Sequence, residues 1–168
     1  MAAGDKASEQ LVPQITVRIQ AGDFDIAQEI SALTDCRADI GAVVSFSGLC
    51  RDEGGRLSAL ELEHYPGMAE RAIRAIAEDA VQRFSLTGIT AIHRHGAIQP
   101  GGNIVLVVAC ASHRQAAFDG ASLLMDYLKT DAPFWKKEHL KDGGTGEWVS
   151  AKDADDEAKA RWATSRSE

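Results

Sequence analysis

No segment constrains this chain more than Asn103-Ile-Val-Leu-Val-Val-Ala-Cys-Ala111, which carries almost no polar side chain. A half-exposed strand alternates apolar with polar residues, whereas a short continuous apolar run bounded by turn residues fits a strand buried on both faces. Gln99-Pro100-Gly101-Gly102 supplies the turn ahead of it. The run is therefore expected at the centre of a sheet. Its apolar part, Ile104 to Ala111, is far too short to cross a bilayer, which takes about 20 residues.

At 168 residues the chain has length for one domain with a tail at either end. Hydrophobic residues at 45% and charged residues at 26% are the proportions of a globular domain whose core needs no disulfides. With 18 Lys and Arg against 25 Asp and Glu, the net charge of −7 argues against a nucleic-acid footprint. Any anionic ligand must then be held by a local basic cluster. Cys36, Cys50 and Cys110 are odd in number and lack Cys-x-x-Cys spacing, against both a disulfide framework and a structural zinc site. A reducing cytoplasm is the expected compartment. The N-terminal residues are polar where a signal peptide would be apolar, and no membrane partner is expected.

Ile15, Val17 and Ile19 alternate with Thr16, Arg18 and Gln20, predicting a strand over 14–20. Further strands are expected over 41–47, 57–65 and 88–95, and a short helix over 25–33. Gly48 marks a turn or bulge, and Asp52-Glu53-Gly54-Gly55 a loop or hairpin connection. Pro66-Gly67 opens the clearest helix, with Met68, Ala72, Ile76, Ala80 and Phe84 on its apolar stripe and Ala69, Ile73 and Ala77 beside them. A second helix is expected from Ser112 to about Lys129, started by a capping box of Ser112 with Gln115 and stopped ahead of Pro133. A flexible loop over 142–146, a strand over 147–150 and a charged helix over 153–162 complete the chain. Residues 1–12 read as a mobile tail. Residues 13–168 read as a single α+β domain of mostly antiparallel sheet with helices packed on it.

Several residues break local rules. His113 and Arg114 place cations in the first turn of the second helix, where the macrodipole disfavours them unless an anion compensates. Lys129 ends that helix, and Lys136 and Lys137 follow in Pro133-Phe-Trp-Lys-Lys-Glu138, where Phe134 and Trp135 are expected to anchor the segment against the core. Lysines held close together repel, which suits one of them to accept or shuttle a proton. Arg51 follows a strand end. Cys50 has nothing beside it except Arg51 to depress its pKa and reads as structural. His93 and His95 share a strand face but lack a third ligand at recognisable spacing, so no metal site is expected.

Together these segments resemble the catalytic (large) subunit of molybdopterin synthase. The similarity runs from about Ile15 to Trp162, with its parts in family order. They are Gly41-Ala-Val-Val-Ser-Phe-Ser-Gly48 with Arg51, Leu62-Glu-His-Tyr-Pro-Gly-Met68, His93-Arg94 with Gly96, Ser112-His-Arg-Gln-Ala-Ala-Phe118, Met125-Asp-Tyr-Leu-Lys-Thr130, and Ala132-Pro-Phe-Trp-Lys-Lys-Glu138. Asn103 and His95 depart from the family pattern, away from these motifs.

The resemblance implies a hammerhead-like α/β arrangement and an enzyme that converts cyclic pyranopterin monophosphate (precursor Z) to molybdopterin. The sulfur would come from the C-terminal Gly-Gly thiocarboxylate of a small ubiquitin-like subunit. Large subunits would pair as a homodimer within a heterotetramer, without a cofactor of their own. By the same resemblance Lys129 and Lys136 are catalytic, and Arg51, His113 and Arg114 hold the substrate phosphate and pterin. Leu49, Cys50, Lys137 and Glu138 match the remaining pocket positions. The alternative is a catalytically silent module that docks the ubiquitin-like tail.

Overall fold

In the computed structural model, which describes residues 12–148 and Trp162, eight strands and three helices follow in a mixed order. They are β1 (Gln14–Gln20), α1 (Ile26–Thr34), β2 (Ala42–Leu49), β3 (Leu57–His64), α2 (Met68–Phe84), β4 (Gly88–Arg94), β5 (Gly96–Ile98), β6 (Asn103–Ala111), α3 (Arg114–Thr130), β7 (Phe134–Leu140) and β8 (Thr145–Trp148). The expected N-terminal tail, and the charged terminal helix apart from Trp162, lie outside the described residues.

One sheet has the order β1-β4-β6-β2 and the other β5-β3-β7-β8. Only β1 and β4 run parallel among the described strands. The α+β class expected from the sequence is what the chain adopts, and β6 is internal to its sheet. The pleat explains its composition, because successive side chains point to opposite faces. Val105, Val107 and Ala109 meet the helices α2 and α3 on one face. Leu106, Val108 and Cys110 meet Leu33, Ile26 and Ile30 of α1 on the other.

Local chemistry sets the helix starts. Asp25 caps α1, its carboxylate accepting from the N–H groups of Ala27 and Gln28 at 2.9 and 3.1 Å. At α2 the Glu70 carboxylate accepts from Gly67 N–H at 2.7 Å, and Gly67 takes a φ of 77°, the left-handed region that glycine enters freely. The buried face of α2 is Ala69, Ile73, Ala77 and Ala80. Met68, expected on the stripe, is exposed as the first residue of the helix.

Several expectations are corrected. The strand expected over 88–95 ends at Arg94, and Gly96, at φ 83°, turns the chain into the second sheet as β5. Helix α3 starts at Arg114, with His113 as its N-cap, and Ser112 makes no capping box. The β2–β6 ladder continues to Ala42 and Ala111 and Gly41 N–H still donates to the Ala111 carbonyl, so the chain cannot enter a helix at Ser112. Gln115 bonds Asp119 instead. Residues 52–55, expected as a loop or hairpin connection, are a loop that joins strands of different sheets. The segment after Pro133, unassigned in the sequence, is a strand paired with β3 along its length, and Trp135, expected as a core anchor, is exposed. The last strand, expected over 147–150, begins at Thr145 and pairs back on β7. No described helix is long and apolar enough to cross a membrane.

Candidate active site

A cavity of about 870 Å³ opens where the ends of β2, β4 and β6 meet the C-terminal end of α3 and the face of β7. Each element contributes for a local reason. The chain bulges between Gly48 and Leu49 as β2 leaves its ladder, and Cys50 is then tied to the turn before β6. Its N–H donates to the Gly102 carbonyl at 2.9 Å and its carbonyl accepts from Gly101 N–H at 2.7 Å. This presents Leu49, Cys50 and Arg51 along one wall.

Helix α3 ends at Thr130, just ahead of Pro133, and delivers Met125, Leu128, Lys129 and Thr130 to the opposite wall. On β7 the period of two sends Phe134, Lys136 and Glu138 to the cavity, and Trp135 lines it as well. Lys137 alternates to the other face and does not line it.

The cavity therefore brings together Lys129, Lys136, Leu49, Cys50, Arg51 and Glu138 of the residues singled out in the sequence. His113 and Arg114 are exposed at the opposite end of α3. At 1.5 Å per residue, the fifteen residues from Arg114 to Lys129 span about 22 Å, so one ligand cannot touch both within a single chain.

Arg51 sits at the rim, 77% exposed, where its Nε and Nη2 donate to the Glu53 carboxylate at 3.0 and 2.6 Å. Cys50 is buried, and burial, reinforced by Asp52, Glu53 and Glu138 despite a backbone hydrogen bond, pushes its thiol pKa up. A protonated thiol is a poor nucleophile. Among the described residues no group of three or more His, Cys, Asp or Glu could hold a metal ion.

Two features escaped the sequence. Glu53, in a glycine-rich loop, pairs with Arg51, and the Arg51-x-Glu53 spacing was the only hint. His93, weighed only as a metal ligand, lies in the cavity wall as a buried imidazole. His95 turns instead toward His64, with ring centroids 4.9 Å apart.

The model of the MoaE protein family matches residues 19–131, most of the chain and both walls except β7. The chain belongs to the MoaE family. The molybdopterin synthase catalytic subunit of Rhizobium meliloti is 68% identical over 148 residues, covering 88% of this chain and 96% of that one. Among solved structures, the molybdopterin biosynthesis MoaE protein from Burkholderia ambifaria superposes with a TM-score of 0.76 at 46% identity, covering 89% of this chain and 99% of that one. Molybdopterin synthase from Staphylococcus aureus follows at 0.71 and 27%, covering 79% and 95%. Relatives at this identity are named catalytic subunits of molybdopterin synthase, and the chain is accordingly an enzyme subunit with the fold of that family.

Proposed function

We propose that this chain converts cyclic pyranopterin monophosphate to the dithiolene molybdopterin, taking sulfur from the C-terminal thiocarboxylate of a small ubiquitin-like subunit. The observation that carries this reading is the meeting of Lys129, from the last turn of α3, with Lys136, from β7, on one cavity. Ammonium groups on two rigid elements suit proton transfer and stabilisation of the charge that develops as a thiocarboxylate sulfur attacks carbon. The raised Cys50 pKa agrees with sulfur delivered from outside, because no thiol of the wall is poised to attack. Relatives named as a catalytic subunit have, by that name, a second subunit.

A homodimer completes the reading. His113 and Arg114 lie too far along α3 to reach the cavity of their own chain, and a second copy would bring its pair to the substrate phosphate. Beside them an apolar strip of Phe46 and Phe118 is left exposed, on a smaller hollow of about 310 Å³ that shares Phe46 and Met125 with the main cavity. A second copy covering that strip would set its Arg114 near the cavity mouth. We assign the assembly to the cytoplasm, where three free cysteines suit a reducing medium.

The test is to mix the purified chain, the pterin monophosphate and a thiocarboxylated small subunit and to follow the dithiolene product by mass. Product that requires all three components is expected. Stoichiometric docking of the small subunit without product would overturn the enzymatic reading in favour of a silent module.

A further inference from the structure

We propose that His93 is a further substrate-binding residue of this site, its Nε2 accepting a hydrogen bond from an N–H of the heterocycle held in the cavity. The inference rests on the pterin reading above and adds a residue to it. His93 stands at the end of β4 with only 7% of its surface exposed, and it lines the cavity. Its Nδ1 donates to the Arg94 carbonyl at 2.9 Å, which fixes the tautomer and leaves Nε2 with a lone pair. Among the described residues nothing bonds that second nitrogen.

The ring cannot turn away. Phe134 stacks on it with 3.8 Å between centroids and 18° between planes. An acceptor held still on the cavity wall and left without a partner among the described residues calls for a donor, and the cavity is the open side from which one arrives. Burial, with Lys136 and His64 nearby, pulls the imidazole pKa down to about 4, so the nitrogen remains an acceptor at neutral pH. The other polar side chains here include the donors Lys129, Lys136 and Arg51, which match phosphate and carbonyl oxygens. A pterin also presents ring and amino N–H groups, and for these a neutral acceptor in an apolar wall is the suitable partner.

Two variants separate the acceptor from the ring. His93→Phe keeps the stacking surface on Phe134 and removes both nitrogens, whereas His93→Gln discards the ring and restores an acceptor at similar reach. With the small subunit saturating, His93→Phe is expected to raise KM for the pterin monophosphate about tenfold with little change in melting temperature, the worth of one hydrogen bond. His93→Gln is expected to recover most of that loss. An unchanged KM in His93→Phe would overturn the proposal.

Should His93→Phe fold poorly, the wild-type chain decides the matter through its ¹⁵N-histidine spectrum. Saturation with the pterin monophosphate is expected to shift the unprotonated Nε2 resonance of His93, and a resonance that stays in place would overturn the assignment. Failure of the wild-type chain to bind or turn over the pterin at all would instead overturn the proposed function.

Discussion

Phe134 lies flat against the imidazole of His93, although the two residues belong to different sheets. The contact joins β4 to β7 at the floor of the cavity, two residues from Lys136, and it keeps a titratable group out of water. Folded His93 takes up a proton only near pH 4, whereas the unfolded chain does so near 6.5. Between those values the unfolded state binds more protons, so stability is complete above about pH 6.5 and falls as the pH drops toward 4. The full effect is roughly 3 kcal/mol. Melting curves at pH 7.5 and 4.5 are expected to show a larger acid loss for the wild type than for His93→Phe, and parallel losses would remove His93 as the source.

Lys129→Ala is expected to lower product formation by about 10²–10⁴-fold, the usual worth of a positioned proton-transfer group. The fold should tolerate it, because Lys129 is an exposed cation in the last turn of α3, whose interaction with the helix dipole is worth at most about 1 kcal/mol. Turnover and melting temperature measured on the same preparation separate the two effects. Activity within a few-fold of wild type would remove Lys129 from the chemistry.

Gly41 tests the geometry that displaced the start of α3. A Cβ at this position would fall deep inside contact distance of the Ser112 carbonyl oxygen, a backbone atom that cannot swing aside as a flexible side chain would. Gly41→Ala must therefore push β2 away from the strand end of β6, lowering the melting temperature by on the order of 5 °C. Thermal unfolding that matches the wild type would show the junction to be more pliable than its packing implies.

How far the sequence revealed this molecule depended on whether the signal was local. The alternation of Ile15, Val17 and Ile19 and the apolar run of β6 each report a face directly, and both strands lie over the expected residues. β7 was not legible, because Phe134-Trp-Lys-Lys-Glu-His-Leu140 lacks alternation and owes its form to pairing with β3, seventy or more residues earlier in the chain. The sheet switch at Gly96 was hidden for the same reason. In the site, Lys129 was visible as a cation at a helix end, but its meeting with Lys136 depended on tertiary packing across Pro133. Arg94 shows the opposite limit. It sits in a motif shared with the family, yet its guanidinium is spent on structure, donating to the carbonyls of Ala21 and Asn103.

The separation of Arg114 from Lys129 along α3 leads to a prediction about assembly. Arg114→Ala should fold normally, since the side chain is exposed at a helix N-terminus that disfavours its charge, and it should lose substrate affinity. If each site draws Lys129 from one chain and Arg114 from a second, two defective variants repair each other when mixed. A dimer of a Lys129→Ala chain with an Arg114→Ala chain holds one site with both residues intact and one with neither. Random exchange then restores about a quarter of the wild-type sites. The measurement is turnover of the two variants alone and after co-refolding, with the mass in solution followed by light scattering. Phe118→Asp in both chains buries a charge under the proposed contact and should abolish the recovery along with the dimer. Variants that never complement, in a protein that light scattering shows to be dimeric, would place the phosphate on residues of a single chain.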